Sequence, residues 1–304
     1  MKIAIASSSL LARVVIEALE HSQNEIVGFI TMPDQPKGRS GSAKPNPFRE
    51  LVSKEWGSIP CFAPESDGDL QQVLQSLGPD LVVTLAYGRL IKEEALGLPL
   101  HGWLNIHFSK LPLWRGAAPV QRSLLAGERE SGVTTFKIDR GMDTGPIYVQ
   151  SSFTYAQDEC ATEALERMAE IGATQLMDAV AMIEGRIAPI PQQGQSSNAP
   201  KIDKRELRLR LGSTSVELMA QIRAFTSQPG VWFLYRGQRM IISKARPSSI
   251  KVEENHITDE HGKLLIGTRD GSIEIEKITP EGKREMSGSE FLRGRDLRQA
   301  HPIE

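Results

Sequence analysis

Residues 2–31 read KIAIASSSLLARVVIEALEHSQNEIVGFIT. A short apolar run is followed by apolar residues at helical spacing over 10–20 and then by a second apolar run, EIVGFIT. Strand, helix and strand in thirty residues constrain the fold sharply, because a right-handed crossover sets the two strands side by side and parallel. The chain therefore starts as an α/β layer. The turn after the first strand is Ser7-Ser8-Ser9. A dinucleotide site needs the glycines of GxGxxG there for close backbone approach to a pyrophosphate, so a nicotinamide-dependent enzyme is disfavoured.

The alternation continues downstream. Helices are expected near 47–56 and 68–77, a short strand at IPCFAP, and an apolar strand, DLVVTLAY, over 80–87. A short helix over 91–96 leads to WLNIHF at 103–108. A helix entered through Pro119, two strands over 132–139 and 145–155, and a long amphipathic helix or helix pair over 158–184 complete a first domain, residues 1–186. Residues 187–207 begin IAPIPQQGQSSNAPKID, without periodicity, and are expected to be a linker. Beyond it, over 208–304, a helix at 213–225 precedes five short strands with turn-rich spacing. These predict a small β-barrel of OB-like type, followed by a terminal helix over SGSEFLRGRDLRQA.

A chain of 304 residues fits two domains, and 39% hydrophobic with 24% charged residues fits a globular protein. No apolar run approaches bilayer length, and MKIAIASSS is too short to be a signal peptide. Cys61 and Cys160 lack CxxC spacing, and His101 and His107 have no third partner at ligand spacing, so neither a disulfide framework nor a metal site is expected. Cytoplasmic residence is the expectation, and no coiled-coil seam demands a second copy, so a monomer is too. Charge is uneven. Residues 201–304 hold 19 Lys and Arg against 15 Asp and Glu, whereas the whole chain has a net charge of −2. Residues 32–49, MPDQPKGRSGSAKPNPFR, carry Lys37, Arg39, Lys44 and Arg49 with no acid after Asp34. A loop this long and basic reads as an arm for a polyanion, mobile on composition grounds.

The chemistry concentrates in 104–143, LNIHFSKLPLWRGAAPVQRSLLAGERESGVTTFKIDRGMD. Asn105 and His107, two residues apart on a strand, share a face. Asp143 follows, flanked by Gly141 and Gly145. An amide that polarises a carbonyl, an imidazole that carries a proton and a carboxylate that orients it suit acyl transfer to an amine, and no Ser or Cys stands out as a covalent nucleophile.

Asn105-Ile106-His107, Ser109, Leu111-Pro112, Arg115-Gly116-Ala117-Ala118-Pro119, Gly132-Val133-Thr134 and Gly141-Met142-Asp143-Thr144-Gly145, in this order, resemble the formyltransferases that use 10-formyltetrahydrofolate. RGAAPVQRSL, GMDTG, the upstream MPDQPKGR and LAYG point within them to those acting on methionyl initiator tRNA. The resemblance spans nearly the whole chain, including MSGSEFL near its end. It implies a Rossmann-like formyltransferase domain and a C-terminal OB-like domain that helps to hold tRNA. It also implies 10-formyltetrahydrofolate as a co-substrate, with no tightly bound cofactor. Asn105, His107 and Asp143 would be the catalytic trio. Folate would lie along Ser109, Lys110, Leu111 and Pro112 and the strand end Leu85, Ala86, Tyr87 and Gly88. Lys37, Arg39 and Lys44 would sit on an acceptor-stem arm. Phe108 and Lys110 depart from the family's usual Gly and Leu, and a bulky Phe108 is expected to narrow the pocket. The rival substrate is an amino sugar linked to a nucleotide.

Overall fold

The computed structural model describes residues 1–36, 43–44, 46–226, 230–293 and 295–304. They form two compact units. One comprises 1–119, 130–154 and 165–200; the other comprises 120–129, 155–164 and 201–304.

The first unit opens as its sequence dictates: β1 (Lys2–Ser7), α1 (Arg13–Glu20) and β2 (Glu25–Ile30), with β1 and β2 parallel. Next comes a two-residue ladder, β3 (Gln35–Pro36) with β4 (Ala43–Lys44). Lys44 is in that ladder, whereas Lys37 and Arg39 lie outside the described residues. The chain continues through α2 (Pro47–Glu55), β5 (Cys61–Phe62), α3 (Asp67–Leu77), β6 (Leu81–Leu85), α4 (Glu93–Leu96) and β7 (Trp103–His107). Asn46 and Ser66 cap α2 and α3 by accepting backbone N–H bonds. After α5 (Pro119–Leu125), two long strands follow, β8 (Glu130–Lys137) and β9 (Ile147–Thr154), and then α6 (Ala161–Glu184).

The sheet order is β5-β2-β1-β6-β7-β8-β9. It is parallel as far as β7 and antiparallel beyond, as the tight connection between β8 and β9 requires. β6 is buried at all five positions, and Trp103 on β7 is wholly buried. Ser7-Ser8-Ser9 clamps strand ends together. Ser7 Oγ donates to Leu85 O at 2.6 Å, and Ser8 donates through N to Ala86 O and through Oγ to Tyr87 O. Gly172 is where α6 meets β7: a Cβ there would stand 2.4 Å from Ile106 Cγ2. The helix thus backs the strand face opposite Asn105 and His107.

The stretch expected as a linker, 187–207, is divided. Residues up to 200 stay with the first unit, where Ile190 bridges Ile147 and Asn198 bridges Arg115.

In the second unit, α7 (Ser215–Phe225) starts at a Thr214–Glu217 capping box. Five antiparallel strands follow: β10 (Val231–Tyr235), β11 (Gln238–Ser248), β12 (His256–Glu260), β13 (Lys263–Thr268) and β14 (Gly271–Pro280). Three short elements end the chain: β15 (Met286–Ser287), α8 (Gly288–Leu292) and β16 (His301–Pro302). The order β10-β11-β14-β13-β12-β16 closes on itself, because Leu234 and Glu304 exchange both backbone hydrogen bonds, at 2.7 and 2.9 Å. The result is the small barrel that the strand spacing predicts. The terminal helix is shorter than expected. It ends where Arg293 turns extended, with Phe291 and Leu292 already buried and Arg295 donating to Phe291 O.

Candidate active site

A cavity of about 470 Å³ opens beyond the carboxyl ends of β6 and β7, where ligands gather in open α/β sheets. Asn105, His107 and Asp143 all line it, together with Thr84, Ala86, Tyr87, Gly88 and Gly116. Asn105 and His107 reach it from one face of β7, as their spacing demands.

His107 is 5% exposed. Its Nε2 lies 2.9 Å from Trp114 O. A carbonyl only accepts, so Nε2 carries a proton, and in the neutral form of the ring Nδ1 is the bare nitrogen. Nδ1 lies 3.8 Å from Asp143 Oδ2, too far for a hydrogen bond and an ion pair only once the ring is protonated. Asp143 Oδ2 in turn accepts from Gly116 N at 2.7 Å. Asp143 adopts φ +53°, a left-handed conformation that persists only when its surroundings impose it.

Asn105 Oδ1 accepts from Thr84 Oγ1 at 2.8 Å, which leaves the amide NH₂ as the cavity-facing donor. Thr84 is the single polar residue of β6 and is 4% exposed. Its polarity within LVVTL is the one sequence signal that marks it. Trp114, whose carbonyl sets the imidazole tautomer, carries no such signal, because the contact is made by backbone at φ +59°.

The residues expected around folate divide into two groups. Ala86, Tyr87 and Gly88 line the cavity, and Leu85 lies buried beneath them. Burial pushes the Tyr87 phenol up to about 12, so it stays protonated at neutral pH. Ser109, Lys110, Leu111 and Pro112 do not line the cavity. Ser109 Oγ donates to Leu113 O, and Ser109 O accepts from Thr134 Oγ1. Gln150 Nε2 donates to Leu111 O, and Lys110 reaches Ser152 at 3.3 Å. The segment is therefore the frame that delivers Trp114 O to His107. Phe108 does line the cavity and is 7% exposed. Leu90 and Met142, 64% and 63% exposed, give the cavity an apolar rim.

Residues 1–180 match the family model described as formyl transferase, and residues 201–296 match that of the formyl transferase C-terminal domain. The chain belongs to the formyl transferase family. It is 34% identical to the methionyl-tRNA formyltransferase of Paenarthrobacter aurescens over 97% of both chains. Among solved structures, HypX from Aquifex aeolicus in complex with tetrahydrofolic acid superposes with a TM-score of 0.69 at 18% identity, over 97% of this chain. The chain spans about half of HypX, with 48% of it covered. The N-formyltransferase from Helicobacter canadensis, in complex with folinic acid and dTDP-3-aminofucose, superposes with a TM-score of 0.65 at 21% identity. That match covers 90% of this chain and 98% of the other. At such identities the two structures speak for the fold. No helix among the described residues is long and apolar enough to cross a membrane.

Proposed function

We propose that the protein transfers the formyl group of 10-formyltetrahydrofolate, a co-substrate, to the free α-amino group of methionyl initiator tRNA for translation initiation. One observation carries the chemistry: His107, with Nε2 held by Trp114 O, sets Nδ1 3.8 Å from Asp143 in the cavity that Asn105 also lines, its Oδ1 taken by Thr84 and its NH₂ left as a donor. The end-to-end likeness to a methionyl-tRNA formyltransferase supports the choice of substrate.

On this reading the α-amine attacks the formyl carbon, a C–N bond forms, and the carbonyl electron pair moves onto oxygen. Asn105 NH₂ donates to that oxyanion. The new ammonium gives its proton to His107 Nδ1, and the imidazolium is stabilised by Asp143 on one side and Trp114 O on the other. The oxyanion then collapses. The bond from the formyl carbon to N10 breaks, and His107 returns the proton to the leaving nitrogen. Formylmethionyl-tRNA and tetrahydrofolate result, with no covalent enzyme intermediate.

Residues 1–186, with 187–200 packed on them, carry this chemistry, and 208–304 help to hold tRNA. Folate lies against Ala86, Tyr87 and Gly88, framed by Leu85 and by Ser109 to Pro112. Lys37, Arg39 and Lys44 on the 32–49 arm meet the acceptor stem. In the second unit, Arg208 and Arg239 stand 5.6 and 4.7 Å from the Trp232 ring centre, and Arg236 stands over Tyr235. Cations beside aromatic faces are a surface suited to nucleic acid. The protein works as a monomer in the cytoplasm.

The test is incubation with 10-formyltetrahydrofolate and charged initiator tRNA, scoring formylmethionine. Formylation of a nucleotide-linked amino sugar, with none of methionyl-tRNA, would overturn the reading.

A further inference from the structure

Asp143 adopts its left-handed conformation in a loop, and its contacts with His107 and Gly116 bear on a carboxylate that backbone must hold in place. The backbone is held by a residue from the irregular 187–200 stretch. Gln192 Nε2 donates to Asp143 O and to Gly145 O, both at 2.8 Å, so one amide grips the loop on both sides of Thr144. Its Oε1 accepts from Arg115 Nη2 at 2.6 Å and Nε at 3.2 Å. Arg115 precedes Gly116, the donor to the Asp143 carboxylate. One side chain thus ties together the two loops whose meeting places Asp143 against His107.

The chemistry allows only a primary amide here. The two carbonyls demand donors and the guanidinium demands an acceptor, so the amide orientation is unambiguous and every one of its hydrogen-bonding groups is engaged. The same stretch runs on beside the Arg115 loop. Trp114 N donates to Ser197 Oγ at 2.9 Å, Arg115 N donates to Ser197 O at 2.8 Å, and Ala199 N donates to Arg115 O at 2.6 Å.

We infer that Gln192 is a positioning residue of the transfer reaction: it fixes Asp143 relative to His107 and acts on the rate of chemistry without touching substrate. The inference rests on the formyl-transfer reading. It separates two substitutions by what each keeps. Gln192→Glu preserves the acceptor for Arg115 but sets a carboxylate against two carbonyl oxygens, whereas Gln192→Met keeps the volume and neither partner set.

The experiment measures kcat and KM for both substrates, with thermal melts, in Gln192→Met, Gln192→Glu and the exposed neighbour Gln193→Met, alongside crystal structures of the wild type and Gln192→Met. Misplacing a reacting group by about 1 Å costs about 100-fold in rate. The expected result is that loss in kcat for both Gln192 variants, with KM unchanged, Gln193→Met at wild-type rate, and the Asp143 carboxylate displaced by about 1 Å in the crystal. Wild-type kcat in Gln192→Met, equal losses in Gln193→Met, or an Asp143 carboxylate that has not moved would each overturn the assignment. A wild-type protein that makes no formylmethionyl-tRNA would overturn the functional reading instead. The crystallographic comparison would still decide the role of Gln192.

Discussion

Gly116 combines a positive φ with a close backbone neighbour beside the site, and Gly116→Ala tests that constraint. The residue sits at φ +125°, and a Cβ there would stand 2.6 Å from Ala199 O and 3.1 Å from its carbonyl carbon. Neither atom yields easily, since Ala199 O accepts from Ala118 N and Ala199 N donates to Arg115 O. The substituted backbone must rotate, at a cost of about 1–3 kcal/mol for an L residue forced into such a conformation. Rotation turns Gly116 N away from Asp143 Oδ2, now 2.7 Å distant. A hydrogen bond to a charged group is worth about 1.5–3 kcal/mol, and each 1.4 kcal/mol lost from the transition state is tenfold in rate. The expectation is a kcat about 10- to 100-fold lower, with a melting temperature a few degrees lower. Single-turnover formylation of methionyl-tRNA under saturating 10-formyltetrahydrofolate reads the first, and calorimetry reads the second. A variant that melts earlier yet reacts at the wild-type rate would show that the Gly116 N–H does not orient Asp143, and would refute the reasoning.

Other outcomes follow from the same geometry. Asp143→Asn and His107→Ala should each lower kcat by about 100- to 10,000-fold, the usual worth of general acid–base catalysis, with circular dichroism and tRNA binding unchanged. Thr84→Val is nearly isosteric and removes the hydroxyl that turns the Asn105 amide; losing about 1 kcal/mol of orientation predicts about a fivefold fall in kcat, measured at steady state. Arg122 holds the Glu206 carboxyl below its ordinary value through a hydrogen-bonded ion pair at 2.6 Å. A depressed carboxylate contributes stability in full above its unfolded value and loses it as pH falls through the folded one. Arg122→Ala should therefore move the acid-unfolding midpoint to higher pH in a circular dichroism titration.

Much of this was written in local pattern. The two-residue spacing of Asn105 and His107 on an apolar strand, and the sheet-end position of LAYG, depend only on strand geometry, so they survive into the structure unaltered. Four features could not be read this way. Trp114 acts through its carbonyl, and any residue type has one. Ser109 to Pro112 resembles a folate segment in sequence, but its bonds to Thr134 and Gln150 are not written in its own spacing. The stretch 187–200 lacks periodicity because it forms no helix or long strand; its hydrogen bonds go to distant loops, and nothing in its own spacing reports them. The tail SGSEFLRGRDLRQA has a helix start, the Ser287–Glu290 capping box, but packing of Phe291 and Leu292 ends it after one turn.

The exchange between Leu234 and Glu304 also has a bearing on self-association. β10 reads VWFLY, without a charge or a proline. Five apolar, strand-prone residues on an open sheet edge would offer unpaired backbone groups to any second chain. Residues 301–304 bridge β12 to β10, where Glu304 takes the N–H and C=O of Leu234, and Leu209 N takes Trp232 O. A short terminal pairing, together with Leu209, thus keeps an uncharged, strand-prone edge of the second unit from recruiting its own copies.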